Sequence, residues 1–149
     1  MQIQVIIDKH DINSLNNRFK PLPEPHTDGI FAVDDDMRVP CPELDFAFDV
    51  WRGSKHSLVG FMPRVHFKSP SGKLIYRAWW HVWWIGSYSI ILTKAAFLHH
   101  QYFHAYTYQL PPEVHTFIDE SRNCEDIAMQ FLVSNMTGMP PVFVKVSGW

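Results

Sequence analysis

The chain has 149 residues and a formal net charge of -2, with 46% hydrophobic and 15% aromatic residues. This length allows one domain with a hydrophobic core, and the apolar content excludes a disordered chain. The composition provides no basic stripe for nucleic acid and no polybasic tract for a membrane surface. Two cysteines are too few for a disulfide scaffold, and neither a signal-peptide pattern nor an apolar run long enough to span a bilayer is visible.

The N-terminal part of the chain predicts a strand followed by a loop. Residues 3–7 are apolar and β-branched, which favours a strand that starts almost at the first residue. Residues 8–17 are polar and predict a loop. An extended connector follows because of the prolines at positions 21, 23 and 25.

The next segments alternate between strand and helix. Residues 30–33 predict a short buried strand. Residues 42–53 carry apolar side chains at helical spacing, begin with proline and end with glycine, which predicts a helix. Residues 58–67 predict a strand that is bent or interrupted at Gly60 and Pro63.

The second half continues this alternation. Residues 79–84 and 88–92 predict strands on either side of a flexible Gly86. Thr93 is placed to cap a helix over residues 94–108.

Two shorter elements and a last strand complete the expected order. Residues 113–120 predict a helix, and Asn123 is placed to cap another, with Asp126 at the third helical position. Residues 142–146 predict the last strand. Strands that alternate with helices predict an α/β fold with a mixed sheet.

An apolar strand runs directly into three consecutive carboxylates, Asp34, Asp35 and Asp36. Neighbouring like charges repel, so near a core they favour a neutralising cation, and hard oxygen ligands suit Mg²⁺ or Mn²⁺. The carboxyl end of a sheet strand is also where α/β proteins hold phosphorylated ligands. The run indicates a metal–diphosphate site or, alternatively, a solvated acidic turn. A phosphatase of the haloacid-dehalogenase type also ends a strand in two aspartates, but it needs Thr or Val where this chain has Arg38.

Two further segments carry groups suited to a site. Glu125 and Asp126 open a predicted helix, where they serve as capping acids or present a carboxylate to a reacting sugar. The loop from Asn13 to Arg18 offers amides and a guanidinium for a base and a phosphate, or it is an ordinary asparagine-rich turn.

The aromatic block and a histidine pair are less specific. The tryptophans at positions 79, 80, 83 and 84 are expected to lie mostly in the core, although indoles also stack on sugar rings. His100 and His104 have a metal-ligand spacing on a helix, but no HExxH frame surrounds them. We therefore expect surface or groove histidines.

Taken together and in order, these segments resemble the exostosin glycosyltransferase domain, a retaining family of the GT-A type. The resemblance covers most of the chain, and the tryptophan pairs are more similar to plant members than to animal ones. The matching segments are residues 14–19, 33–36, 45–51, 59–64, 88–92, 95–97 and 123–129.

The resemblance implies a GT-A fold, a Rossmann-like mixed sheet flanked by helices, that transfers a hexose or an N-acetylhexosamine with retention. The implied donor is a nucleotide sugar, either a UDP-N-acetylhexosamine or GDP-mannose, the implied metal is Mn²⁺ or Mg²⁺, and the acceptor is a glycan or glycolipid. The implied site has the metal on Asp36, ribose or sugar hydroxyls on Asp34 and Asp35, the nucleotide on Asn13 and Arg18, the catalytic carboxylate at Asp126 and a donor-site role for Arg64.

The chain also departs from the family pattern. Residues 1–149 correspond to a partial domain that lacks the first strand–helix–strand unit, the membrane anchor and a tail bearing a basic residue and a cysteine partner for Cys124. We therefore expect Cys124 to be unpaired unless Cys41 is near, and Lys94 replaces a glycine of many animal members. The alternative function is a non-catalytic remnant that binds metal or glycan without turnover. The family resides, membrane-associated, in the lumen of the Golgi or endoplasmic reticulum.

Overall fold

The computed structural model describes residues 5–21 and 27–146. Over these residues the fold is α/β, with a mixed sheet flanked by helices, as the sequence predicts. None of the described helices is long and apolar enough to cross a membrane.

A four-stranded mixed sheet forms the centre of the fold. Its strands lie in the order β1 (Gly29–Val33), β6 (Ala95–His99), β2 (Val59–Gly60) and β7 (Val142–Phe143). β6 is antiparallel to both β1 and β2, whereas β7 is parallel to β2. A second, antiparallel sheet has the order β4 (Leu74–Arg77), β3 (Pro63–Lys68) and β5 (Ile90–Ile91).

Five α-helices and one 3₁₀-helix occur within the described residues. The helices are α1 (Cys41–Gly53), α2 (Trp79–Ile85), α3 (Gln101–Gln109), α4 (Pro112–Ser121) and α5 (Glu125–Thr137), and the 3₁₀-helix is Leu15–Phe19.

Two hydrophobic clusters lie on opposite faces of β6, because successive side chains of a strand point to opposite faces. Leu98 packs with Phe19, Tyr102 and helices α3 and α5. Phe97 packs with Trp51 of α1 and with the segment around β7. β6 is therefore covered on both sides, which fixes the strand end that carries the site.

Most of the sequence-predicted elements are confirmed. The strand over residues 30–33, the helix over 42–53 and the helix over 113–120 all form. The strand over 58–67 is interrupted as predicted, since β2 ends at Gly60 and β3 begins at Pro63. The last strand is shorter than predicted.

The predicted strand over residues 79–84 is wrong, because these residues form α2. Tryptophan and valine favour strands in general, but the indoles lie one and four residues apart, which places them on one helical face. Gly86 ends α2 in the left-handed conformation at φ 72°. The expectation that these tryptophans lie mostly in the core is also wrong, since all four are exposed.

The predicted helix over residues 94–108 is wrong in its first part. Residues 95–99 form β6, and α3 begins only at Gln101. The apolar run has no alternation because β6 is buried on both faces, so periodicity did not distinguish it from a helix.

Two other expectations need correction. Residues 5–7 are exposed and form no strand, and residues 3 and 4 of that predicted strand lie outside the described residues, as do Pro23 and Pro25. Cys124, not Asn123, is the residue before α5, and it has φ 80°. Asn123 instead accepts a hydrogen bond on its side-chain oxygen from the Cys124 N–H.

Candidate functional site

The acidic run lies in a turn directly beyond a paired strand end. β1 and β6 are antiparallel with Val33 opposite Ala95, so the residues after β1 meet those before β6. The Asp34 N–H donates to the Lys94 carbonyl over 2.9 Å, and the Met37 N–H donates to the Asp34 carbonyl over 3.1 Å. These bonds hold the backbone of the acidic turn against the start of β6.

Arg18 is the cation at the centre of the site. Its Nη1 lies 2.5 Å from Asp34 Oδ1 and 3.9 Å from one carboxylate oxygen of each of Glu125 and Asp126. Its Nη2 donates to the Thr93 carbonyl over 2.8 Å. One guanidinium thus faces three carboxylates that lie far from it in the sequence.

The 3₁₀-helix fixes the position of Arg18. Phe19 is fully buried in the core beside it. The Asn16 side chain accepts from the Tyr106 hydroxyl over 2.8 Å and donates to Asp119 over 2.9 Å. The asparagine-rich turn therefore has a structural role at Asn16, which ties Arg18 to helices α3 and α4.

Asp126 is mostly buried, with a side chain that is 16% exposed. The Thr93 hydroxyl donates to its Oδ1. Burial raises the pKa of Asp126, although the hydrogen bond from Thr93 and the charge of Arg18 act in the opposite direction. A buried carboxyl group held beside a cation is a common feature of functional sites.

Glu125 adds a second buried carboxylate at the start of α5. Burial raises its pKa, and the neighbouring charge of Asp126 raises it further. Arg122 and Cys124 precede this pair in the left-handed region, at φ 49° and φ 80°. Such conformations are costly for residues other than glycine and concentrate at functional sites.

Lys94 supplies the second cation. Its Nζ lies 2.6 Å from Asp36 Oδ2 and 3.8 Å from Asp34 Oδ2. The hydrogen bond to Asp36 raises the pKa of Lys94.

The charges of the site do not balance. Two cations, Arg18 and Lys94, face four carboxylates. Carboxylate oxygens are the ligand type that a hard divalent cation binds.

The structure brings together four of the predicted site residues, namely Arg18, Asp34, Asp36 and Asp126. Three others lie outside this arrangement. Asn13 and Asp35 are exposed and make no hydrogen bond through their side chains within residues 5–21 and 27–146. Arg64 donates to the carbonyl of its neighbour Pro63 over 2.9 Å.

Arg64 on β3 and Tyr76 on β4 belong to paired strands. Burial raises the pKa of the Tyr76 hydroxyl, and the charge and hydrogen bonding of Arg64 lower it. The charge of Asp126 also acts on Tyr76.

Thr93 and Lys94 were not predicted as site residues, whereas Glu125 was considered together with Asp126. Thr93 was interpreted as a helix cap, because the strand β6 was not recognised. A polar pair immediately before an apolar run is the signal that would have placed Thr93 and Lys94 opposite the end of β1.

The histidines and cysteines contribute little to this site. The His104 ring packs against Tyr108 with ring centroids 4.6 Å apart and planes tilted by 51°. His100 instead groups with His99 and Asp28 at the opposite end of β1 and β6, where Lys55 holds Asp28 at 2.9 Å. Cys41 and Cys124 are both free, so no disulfide joins them in the part of the chain that the structure describes.

Comparison with known protein families identifies one matching model. The glycosyl transferase family 64 domain matches residues 1–149.

Curated proteins from plants and animals also match. Glycosylinositol phosphorylceramide mannosyl transferase 1 of Arabidopsis thaliana is 44% identical over 148 residues, which cover 97% of this chain and 44% of that protein. Exostosin-1c of Danio rerio is 41% identical over 87% of this chain and 17% of its own length. Exostosin-1 of Bos taurus is 36% identical over 95% of this chain and 19% of its own length. The chain thus spans less than half the length of each of these relatives.

Proposed function

Because the chain belongs to glycosyl transferase family 64, we propose that it transfers a hexose or an N-acetylhexosamine from a nucleotide-diphosphate sugar to a glycan or glycolipid acceptor. The proposal includes retention at the anomeric carbon and dependence on a divalent metal. The observation that carries it is the convergence of Arg18, Asp34, Asp36 and Asp126. The name of the plant relative favours mannose as the transferred sugar, whereas a UDP-N-acetylhexosamine is the alternative donor.

Asp36, with Asp34 beside it, would hold the metal. Mn²⁺ or Mg²⁺ bound there would offset the negative charge of the departing diphosphate. Arg18 adds a fixed positive charge on the same side, since its guanidinium contacts Asp34 directly. The excess of carboxylates over cations supports this assignment.

Asp126 is the proposed catalytic carboxylate. A sugar that loses a diphosphate develops positive charge at its anomeric carbon, which a nearby carboxylate stabilises or attacks. Thr93 orients one oxygen of Asp126, and partial burial limits its contact with water. Such a group is well suited to a cationic transition state.

The remaining donor-site residues have supporting roles in the proposal. Asn13 would contact the nucleotide and Asp35 a ribose or sugar hydroxyl, since both side chains are exposed beside the site's segments. Arg64 would act from the side of Tyr76. By the family resemblance, the proposed compartment is the lumen of the Golgi or endoplasmic reticulum.

Lys94 favours a second candidate function. Its ammonium group binds Asp36 at 2.6 Å, where it competes with a divalent metal for the same oxygen. A remnant that has lost turnover would retain this ion pair and bind glycan without transferring a sugar.

A transfer assay with the wild type and two variants tests the proposal. Asp126→Asn preserves the size and one oxygen of the side chain, so we expect donor binding to persist and transfer to fall by at least about 100-fold. Asp49→Asn is the matched control, because Asp49 is exposed on α1, where it pairs with Arg52. Unchanged transfer by Asp126→Asn would contradict the catalytic assignment, and no transfer by the wild type with any UDP or GDP sugar would favour the remnant.

A further inference from the structure

Helix α2 presents an unusual amount of exposed indole. Trp84 is 88% exposed, and Trp79, Trp80 and Trp83 are 48–55% exposed. At 100° per residue these four side chains occupy one arc of about 140° around the helix. Val82 is the residue of α2 that is buried. The apolar face of α2 therefore points away from the core.

Further exposed aliphatic side chains occur on α2 and on the hairpin before it. Ile85 at the end of α2 is 48% exposed, and Leu74, at the start of β4, is 65% exposed. α2 packs against β3, the partner strand of β4. Soluble proteins seldom expose large apolar groups together unless they bind something there.

The surroundings of α2 are basic. No aspartate or glutamate occurs between Asp49 and Glu113. Lys68, Lys73 and Arg77 are exposed on the β3–β4 hairpin that leads into α2. None of these three forms an ion pair within residues 5–21 and 27–146.

Lys145, two residues after β7, adds a further positive charge. Its Nζ lies 4.8 Å from the centre of the Trp83 ring, which is a cation–π distance. The sequence shows no polybasic tract, because these basic residues are distributed along the hairpin and beyond. In the fold, α2 packs against strand β3 of this hairpin, and Lys145 lies over the Trp83 ring.

The combination of side chains indicates one kind of occupant. Tryptophan places its ring in the headgroup region of a bilayer, and helices that lie in this region carry lysine and arginine beside their apolar face. Tryptophan also occurs in protein–protein interfaces, but lysine is depleted there, so the three lysines favour a lipid surface. The indoles could also stack on bases, but the exposed aliphatic Ile85 beside them suits a lipid surface better than single-stranded nucleic acid.

We propose that α2, together with Lys68, Lys73, Arg77 and Lys145, lies on the surface of an anionic lipid bilayer. The four indoles and Ile85 enter the headgroup region, and the basic side chains attract anionic headgroups. This binding requires neither a donor nor a metal, so it stands or fails independently of sugar transfer.

Co-sedimentation with vesicles tests the proposal. We expect the chain to bind vesicles that contain phosphatidylserine and to bind pure phosphatidylcholine vesicles much more weakly. The variant Trp80→Ser/Trp84→Ser is expected to lose at least tenfold in partition coefficient. The control Phe46→Ser/Phe117→Ser also removes two exposed aromatic rings, from α1 and α4, and is expected to bind as the wild type does.

A charge variant provides a second, independent arm. Lys68→Gln/Lys73→Gln/Arg77→Gln is expected to reduce binding to anionic vesicles on the order of 100-fold, because each basic residue near the surface contributes about 1 kcal/mol. Circular dichroism of every variant verifies the fold. Absence of binding to anionic vesicles, equal binding by the tryptophan variant, or binding of a single-stranded oligonucleotide in place of vesicles overturns the proposal. The wild type could instead sediment without vesicles while the tryptophan variant stays in solution. That result would identify a second copy of the chain as the occupant and would also overturn the proposal.

Discussion

Asp126 is a carboxylate in surroundings that disfavour its charged form, because the side chain is mostly buried. The side chain is 16% exposed, and burial raises its pKa despite the hydrogen bond from Thr93 and the charge of Arg18. Sites that stabilise developing positive charge need an ionised group in such a place, and the protein loses stability to keep it there.

This conflict predicts how stability depends on pH. The folded chain binds the Asp126 proton more tightly than the unfolded chain, so stability is highest below the unfolded pKa and falls as pH rises through the folded pKa. Asp126→Asn removes this loss. We expect the variant to unfold at a higher temperature than the wild type at pH 7, and the difference to shrink as pH falls towards about 3.9, the ordinary pKa of aspartate.

Thermal unfolding followed by circular dichroism over a series of pH values measures this difference. Asp49→Asn serves as the control, since the Asp49 side chain is 70% exposed and should show no comparable pH-dependent gain. A lower melting temperature of Asp126→Asn at pH 7 would contradict the account of Asp126.

The sequence predicts individual site residues where these residues belong to a recognisable motif. Arg18, Asp34, Asp36 and Asp126 were expected in one site and do lie together. Thr93 could not be predicted, because its role depends on the pairing of β1 with β6, which the local pattern does not reveal.

At the scale of elements, β6 decides the geometry of the site. It pairs with both β1 and β2 and is buried on both faces. The backbone of β2 approaches it so closely that a Cβ on Gly60 would lie 2.5 Å from the Ala95 carbonyl oxygen and 2.6 Å from the Ala96 Cβ. Glycine at this position is therefore required by packing.

Gly60→Ala is expected to lower the free energy of unfolding by about 1–3 kcal/mol, because the backbone of β6 must move to admit the methyl group. Gly53→Ala is the matched control. A Cβ on Gly53, at the end of α1, meets no atom within 4 Å, so this variant is expected to be neutral or up to about 1 kcal/mol more stable. Urea unfolding measures both, and equal stabilities of the two variants would contradict the close approach of β2 and β6.

The elements also show where sequence reasoning reaches its limit. The amphipathic pattern of α1 predicted that helix, and the proline and glycine at its ends predicted its bounds. β6 and α2 were predicted in the wrong class because both are short apolar runs, for which periodicity does not separate strand from helix. Their secondary structure depends on tertiary context, because β6 pairs within a sheet and α2 lies on the surface.

At the scale of the whole molecule, the chain combines two surfaces. The carboxylates and cations converge where β1, β6 and α5 meet. The aromatic helix α2 follows the β3–β4 hairpin in the chain. The chain matches glycosyl transferase family 64 over its full length while it spans 44% of its plant relative.

The central claim is that the converged residues bind a metal and a nucleotide-diphosphate sugar. Isothermal titration of UDP and GDP sugars into the chain, with Mn²⁺ and with a chelator, measures this directly. We predict saturable, Mn²⁺-dependent binding of a donor by the wild type, at least tenfold weaker binding by Asp36→Asn, and tighter Mn²⁺ binding by Lys94→Ala, which removes the competing ammonium group. Donor binding that is the same with Mn²⁺ and with the chelator, or unchanged binding by Asp36→Asn, would contradict the claim.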